Sequence, residues 1–108
     1  MKRYSLDTTP FTGVSHDPSL KKQVLMPPGE LDSPVHISHI ILPPGATAIE
    51  HSHKDKNEIF YGIRGLIIFT VNGKEEPLRP GELVVVEPGE SHSIKDVPEE
   101  SEMLYLMT

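Results

Sequence analysis

Eleven prolines and eight glycines, spread along 108 residues, restrict the fold of this chain more than any other feature. Proline has no backbone N–H and clashes with the preceding turn, so it ends or kinks a helix. The longest stretch without proline, which ends at Glu76, is itself interrupted by Gly62, Gly65 and Gly73. This spacing leaves little room for long helices and indicates a fold made of short extended segments.

The segments between these breaks are rich in β-branched and aromatic residues, which is typical of strands. We predict strands over residues 35–42, 58–63, 66–71, 82–87 and 103–107. Asn72-Gly73 follows the third of them and predicts a two-residue hairpin turn, because both residues tolerate positive φ. Asp17 and Pro18 predict one short helical turn through Lys22, with Asp at the N-cap. The pattern favours an all-β antiparallel sandwich or barrel.

Length and charge restrict the class of protein further. A chain of 108 residues suits one domain, and the absence of cysteine excludes disulfides and thiolate metal sites. The net charge of −6 argues against a nucleic-acid partner, which requires a clustered basic face. No apolar run approaches the roughly 20 residues of a membrane span, and the N-terminus lacks a hydrophobic signal core. We therefore expect a cytoplasmic protein with neither a nucleic-acid nor a membrane partner.

Three histidines and one glutamate form a pattern that indicates a metal site. His51 and His53 are one residue apart, so on a strand both imidazoles point to the same side. Glu58 opens the next predicted strand after a short loop, and His92 follows the turn that contains Gly89. Three imidazoles and one carboxylate suit a divalent ion such as Fe, Mn, Co, Ni or Zn, with coordination positions left for water or substrate.

Two blocks of this sequence resemble the two motifs of the cupin superfamily. The first motif, Gly-x5-His-x-His-x3–4-Glu-x6-Gly, is matched at every defined position by residues 45–65. The second, Gly-x5-Pro-x-Gly-x2-His-x3-Asn, is matched by residues 81–96 at Gly81, Gly89 and His92. Glu87 stands where the family has Pro, and Asp96 stands where it has Asn, but neither departure removes a ligand.

The resemblance implies an antiparallel double-sheet jelly-roll barrel of six to eight strands with a metal inside. Carried over position by position, the implied ligands are His51, His53, Glu58 and His92. We place the barrel at residues 35–108. Residues 1–34 are then an N-terminal extension that packs on the barrel or on a partner subunit.

Strand alternation predicts which other side chains lie near the metal. If Glu58 faces inward, Phe60 does so too, and Ile49 shares the face of His51, so we predict that Phe60 and Ile49 line a substrate cavity. The odd spacing of His36 and His39 places them on opposite faces of one strand and does not decide which faces inward. We interpret each as hydrogen-bonded or exposed.

Three further expectations concern the surface of the protein. Residues 54–56 are interpreted as a solvated loop, and His16 and Arg64 as surface residues. Strands over residues 58–63 and 66–71 are apolar on both faces and need a cover on the second face. A chain this short has little left to supply that cover, so we expect a homodimer.

The function that this pattern favours is metal-dependent chemistry on a small organic molecule, with dioxygenase-type chemistry as the leading hypothesis. Fe or Mn is the expected metal in the cell, while Ni, Zn, Co or Cu could occupy the site after isolation. Glu58 is a possible catalytic residue. Two alternatives remain open: a sugar or phosphosugar isomerase, and a non-catalytic module that binds a metal or a small ligand.

Overall fold

Ten antiparallel strands contain about half of the residues in a computed structural model that describes residues 1–15 and 17–108. A single 3₁₀ turn over Leu6–Thr8 precedes the strands. The strands are β1 (Phe11–Val14), β2 (Asp17–Met26), β3 (His36–Leu42), β4 (Ala48–His51), β5 (Glu58–Arg64), β6 (Ile67–Val71), β7 (Lys74–Leu78), β8 (Leu83–Val86), β9 (His92–Asp96) and β10 (Ser101–Met107). The interpretation of His16 falls outside the described residues.

The strands form two antiparallel sheets that face each other as a double-sheet jelly roll. The six-stranded sheet has the order β1-β2-β3-β10-β5-β8, and the four-stranded sheet has the order β4-β9-β6-β7. Eight strands follow residue 35, and the two remaining strands come from residues 1–34. The predicted all-β jelly roll is therefore confirmed. Within the described residues, no helix has the length and apolar character that a membrane crossing requires.

Inward-facing apolar side chains from both sheets form one core. Its most buried members come from β3, β5–β8 and the segment before β10, and include Leu42, Phe60, Ile67, Phe69, Leu78, Val86 and Val97. Phe60 and Phe69 lie on opposite sheets, and their ring centroids are 4.6 Å apart. The core fills one end of the barrel and leaves a cavity at the other.

The hairpin predicted at Asn72-Gly73 is confirmed. Asn72 and Gly73 have φ values of 49° and 80°, and Val71 pairs directly with Lys74 across the turn. This turn joins β6 to β7, and the amide oxygen of Asn72 also accepts a hydrogen bond from the Ser91 N–H at 3.0 Å. The hairpin thus helps to position the segment that leads into His92.

The helical turn predicted from Asp17 through Lys22 is wrong, because these residues begin the longest strand, β2. The Asp17 carboxylate does accept the Ser19 N–H at 3.1 Å, as the local pattern suggests. The chain then pairs with β1 and β3, for example through Lys22 opposite Ile40. Pairing on both sides satisfies the backbone along β2, and this tertiary contact outweighs the local preference for a turn.

A hydrogen-bonded chain of side chains attaches the N-terminal segment to the outer face of the six-stranded sheet. The Gln23 amide donates to the carbonyls of Leu6 and Thr9 at 2.9 and 3.0 Å, and its oxygen accepts from His39 Nδ1 at 3.1 Å. His39 Nε2 lies 2.5 Å from the Glu102 carboxylate. His39 is therefore a buried, hydrogen-bonded residue on the outside of the barrel, as one of the two interpretations predicted.

Candidate metal centre

Both sheets contribute to one polar cluster inside the open end of the barrel. His51 ends β4 and pairs directly with His92, the first residue of β9, in the four-stranded sheet. His53 lies two residues beyond β4, and Glu58 opens β5 in the six-stranded sheet. One ligand atom from each of these four residues lies within 4.8 Å of the others. The structure thus brings together all four residues predicted as metal ligands.

The carboxylate of Glu58 lies at the centre of the cluster. Its Oε1 is 3.1 Å from His92 Nε2, and its Oε2 is 4.0 Å from His53 Nε2. Glu58 and His92 are buried, whereas His51 and His53 are partly exposed. The ring centroids of His51 and His92 are 4.2 Å apart. One side of the cluster therefore lies deep in the barrel and the other faces the opening.

Backbone carbonyls fix the orientation of two of the imidazoles. His51 Nδ1 lies 2.9 Å from the Ile49 carbonyl, and His92 Nδ1 lies 3.3 Å from the Glu90 carbonyl. A carbonyl can only accept, so Nδ1 is the donor in each of these two contacts. Nε2 of each ring then points into the cluster, which is the arrangement that metal-bound histidines show in proteins.

The turn before β9 is held against the loop that carries His53. The Gly89 N–H donates to the His53 carbonyl at 2.7 Å, and the Glu87 N–H donates to the Glu90 carboxylate at 2.7 Å. Gly89 has a φ of 84°, a conformation that favours glycine. Glu87, which replaces the Pro of the motif, uses its N–H to close this turn. The turn therefore fixes His92 and His53 relative to each other.

Glu58 and burial leave the pKa values of two cluster histidines shifted in opposite directions. The hydrogen bond that His92 donates to the Glu58 carboxylate raises the pKa of His92, while burial opposes this shift and the Glu90 carbonyl adds to it. Burial lowers the pKa of His53, and the negative charge of Glu58 offsets part of that effect. His92 thus retains its proton to a higher pH than an ordinary histidine does, and His53 loses its proton at a lower pH.

The donor set fits a divalent transition metal. His53 Nε2 is buried and has no hydrogen-bond partner among the described residues, although a buried polar atom is normally satisfied. Two ligands bonded to one ion at ~2.1 Å lie about 3 to 4 Å apart, and the Glu58–His92 and Glu58–His53 separations have these values. A shared cation would satisfy His53 Nε2 without displacing the strands.

The cluster opens into a cavity of about 430 Å³. Phe60 is buried in its wall, next to Phe69, and Tyr105 and Met103 line the same sheet. Ile49 lines the cavity but is 70% exposed, so it lies at the rim. Both residues predicted to line a cavity are in contact with it, Phe60 in its interior and Ile49 at its edge.

Sequence reasoning missed two ionisable residues that line this cavity, Lys22 and His36. His36 is the inward-facing histidine of β3, and Lys22 lies on β2, which had not been predicted as a strand. A signal was present: Leu20, Lys22 and Val24 alternate with exposed or outward residues, as strand positions do. The helical turn predicted from Asp17 through Lys22 outweighed this signal.

Comparisons with known proteins agree with the fold and the site. The family model described as a cupin domain matches residues 38–108, and the chain belongs to this family. The chain is 40% identical over 55 residues to the oxalate-binding protein of Thermotoga maritima. That match covers 51% of this chain and 46% of the relative, so it spans about half the length of either protein.

Solved structures show the same fold at low sequence identity. A predicted oxalate decarboxylase from Thermotoga maritima superposes with a TM-score of 0.86 at 23% identity, over 98% of this chain and 97% of that one. A sugar phosphate isomerase of the cupin superfamily from Silicibacter pomeroyi has a TM-score of 0.82 at 19% identity, over 99% of this chain and 75% of that one. Proteins that are named for different activities thus share this barrel.

Proposed function

We propose that the protein binds one divalent transition metal through His51, His53, Glu58 and His92 and acts there on a small organic molecule. The convergence of these four donors, with His53 Nε2 buried and unpartnered among the described residues, is the observation that carries the proposal. Fe or Mn is the metal we expect in the cell, whereas Ni, Zn, Co or Cu can replace it during purification because such sites bind these ions more tightly.

For the reaction we propose dioxygenase-type chemistry. The bound metal would supply a site at which dioxygen and a substrate oxygen are activated. The protein's own contribution is a cavity whose walls are largely apolar, formed in part by Phe60, Phe69 and Met103. Such walls exclude water from the reacting groups and orient the apolar part of a substrate. Glu58 is the proposed acid–base residue, since it is the only carboxylate among the cavity-lining residues that the structure describes.

A non-catalytic binding module is the second candidate, and one specific observation favours it. The relative with 40% identity is named an oxalate-binding protein, and the shared stretch is 55 residues long. The isomerase alternative has weaker support, because the described lining of the cavity contains a single lysine and no arginine. A phosphosugar site would call for more cationic groups than that.

The test that separates an enzyme from a binder begins with metal-loaded wild-type protein. The protein is loaded with Fe(II) under nitrogen, its metal content is measured, and oxygen consumption is followed with a panel of small organic acids, phenols and diketones. We expect one metal per chain and oxygen uptake that depends on one class of substrate. Tight binding of a panel member without oxygen uptake, in both the Fe(II) and Mn(II) forms, would support the binding module and contradict the dioxygenase proposal.

We also propose that the protein is a homodimer. On the outer face of the six-stranded sheet, Tyr61 pairs with Leu83 and Ile59 pairs with Val85, which forms a continuous apolar surface on β5 and β8. Tyr61 is 41% exposed and Leu83 is 56% exposed. A contiguous apolar face of this kind on a small protein is typical of an interaction site. A second copy of the chain is the partner that could cover it symmetrically.

A further inference from the structure

Lys22 places a positive charge inside the barrel. It pairs with Ile40, whose side chain belongs to the core, so Lys22 projects from the same inner face of the sheet. Its side chain lines the cavity that contains the metal cluster and is partly buried there. Among the residues that the structure describes, its amine has no hydrogen bond or ion pair. This amine is not one of the buried unpartnered atoms of the described residues, so it stays accessible to a ligand that enters the cavity.

His36 lies on the same inner face and directly across the sheet from the metal cluster. Met107 pairs with His36 on one side and with Glu58 on the other, so the three residues form one row across β3, β10 and β5. With neighbouring strands ~4.8 Å apart, the backbones of His36 and Glu58 are separated by roughly 10 Å. Burial lowers the pKa of His36, and the nearby positive charge of Lys22 lowers it further. His36 is thus a neutral imidazole near Lys22.

The charges that line the cavity favour an anionic ligand. Glu58 is the only carboxylate in the described lining, and it is already engaged by His92 and, in the proposed function, by the metal. A divalent ion with three neutral imidazoles and one carboxylate retains positive charge, and Lys22 adds more. A ligand that carries a carboxylate would balance these charges, whereas a neutral ligand would leave them uncompensated in a largely apolar cavity.

The size and walls of the cavity restrict the rest of the ligand. Its volume of about 430 Å³ falls within the range of roughly 300–1,000 Å³ that is typical of small-molecule sites. Phe60, Phe69, Ile40 and Met103 line the same cavity as the metal cluster and Lys22. These side chains contact carbon rather than polar atoms, so they suit a ligand with an apolar body.

We propose that Lys22 and His36 bind the carboxylate of an organic acid whose apolar body lies along the Phe60 and Phe69 wall and whose other end reaches the metal cluster. This inference names a substrate class for the proposed function. It rests on that function only for the end of the ligand that reaches the metal. In this arrangement Lys22 determines specificity by pairing with the carboxylate, and His36 donates a hydrogen bond to the same group. Neither residue takes part in the chemical step.

The test compares acids with neutral amides of the same shape. Benzoate and benzamide, and phenylacetate and phenylacetamide, are titrated by calorimetry into Mn(II)-loaded wild-type protein. The same titrations are made with Lys22→Met, Lys22→Arg and the control Lys21→Met. Lys21 is on the same strand but is exposed, and its amine contacts the Pro18 carbonyl. Lys21→Met therefore removes the same charge from outside the cavity.

We expect wild-type protein to bind at least one acid more tightly than its amide. Lys22→Met should weaken binding of that acid by roughly tenfold or more while leaving its amide unchanged, since a charge-assisted hydrogen bond is lost. Lys22→Arg should retain the preference, and Lys21→Met should stay within about twofold of wild type. His36→Leu should weaken acid binding less than Lys22→Met does, because a neutral donor is removed.

The inference would be overturned if Lys22→Met and Lys21→Met weakened acid binding equally. It would also be overturned if Lys22→Met still bound the acid more tightly than its amide. A wild type that binds no acid of the panel better than its amide would overturn it as well. Repeating the titrations with metal-free protein separates this outcome from a failure of the proposed function. If the four-residue cluster binds no metal, the acid preference and its loss in Lys22→Met are still measurable. Circular dichroism of each variant shows that the barrel has folded.

Discussion

Glu58 determines the electrostatics of the candidate metal centre. Its side chain is buried, it contacts His92 at 3.1 Å, and it lies 4.0 Å from His53. Its position as the first residue of β5 is fixed by pairing with Val86 and Met107 on both sides. A carboxylate held this rigidly can serve as a metal ligand and as the group that exchanges a proton with substrate.

The substitution Glu58→Gln tests this double role. It preserves the shape of the side chain and removes its charge and basicity, so three histidines should retain some metal. We expect turnover to fall by ~10²-fold or more, which is the usual scale for loss of an acid–base group. Metal content and oxygen uptake are measured on the same samples. Glu50→Gln, at an exposed carboxylate next to His51, is the matched control and should behave as wild type.

A variant Glu58→Gln that keeps both its full metal content and its full rate would contradict the proposed role of Glu58. If Glu58→Gln loses metal and the wild-type protein shows no catalytic rate, the result would instead support the binding module.

The pH dependence of metal binding follows from the histidines. A metal ligand must be deprotonated, so protons compete with the metal as pH falls. The pKa of His92 is raised above the ordinary value of 6.5, so protonation of His92 should begin to weaken metal binding while the pH is still above that value. The increase in Tm that metal produces should therefore shrink steadily from pH 8 to pH 5.5. Calorimetry with and without Mn(II) measures this increase in Tm at each pH. An increase that does not change with pH would count against histidine ligation.

At the scale of single residues, the sequence predicted the convergence of the cluster better than the lining of the cavity. The spacing of His51, His53 and Glu58 within one short block restricts where their side chains can reach, and this restriction survives small errors in strand boundaries. Alternation along β5 placed Phe60 inward for the same reason. Lys22 and His36 could not be placed, because their orientation depends on the pairing of β2 with β3, which are separated by a loop.

Among the strands and turns, β5 and β6 are joined by a turn in which the backbone approaches β10 closely. Gly65 has a φ of 81°, and a Cβ atom at this position would lie 2.7 Å from the Glu100 carbonyl oxygen and 2.8 Å from Ser101 Cα. Ser101 also donates to the Leu66 carbonyl and accepts the Leu66 N–H, at 3.0 and 2.9 Å. This turn therefore fastens the two sheets together at the closed end of the barrel.

Gly65→Ala should destabilise the protein through both backbone strain and this overlap. Gly73→Ala is the matched control, because Gly73 has a similar φ of 80° and no heavy atom near the added Cβ. We expect Gly73→Ala to lower the free energy of unfolding by about 1–2 kcal/mol, the cost of a left-handed alanine. Gly65→Ala should cost clearly more. Urea denaturation measures both, and equal losses would show that β10 yields to the new methyl group.

Strand prediction succeeded where apolar segments stood between prolines and glycines, as for β3, β5, β6, β8 and β10. It failed at the N-terminus for a physical reason. β1 and β2 contain several polar residues, and their backbone is satisfied by pairing with each other and with β3. Local sequence does not encode that pairing, and the N-cap preference of Asp17 pointed to a different structure.

For the molecule as a whole, the apolar outer face of β5 and β8 is the feature with the largest consequence. We expect a dimer at micromolar concentration by light scattering. Leu83→Lys places a charge in the middle of this face and should produce a folded monomer. Leu31→Lys, at an exposed leucine outside the face, should leave the dimer intact. A wild-type monomer at these concentrations would contradict the proposed dimer.

The central claim is that His51, His53, Glu58 and His92 hold one metal ion, and anomalous diffraction from crystals of the Mn(II)-loaded protein tests it most directly. We predict a single strong anomalous peak inside the barrel, with His51 Nε2, His53 Nε2, His92 Nε2 and a Glu58 oxygen each at roughly 2.0–2.3 Å from the ion. A peak located elsewhere, or one of these four side chains turned away from the ion, would contradict the account.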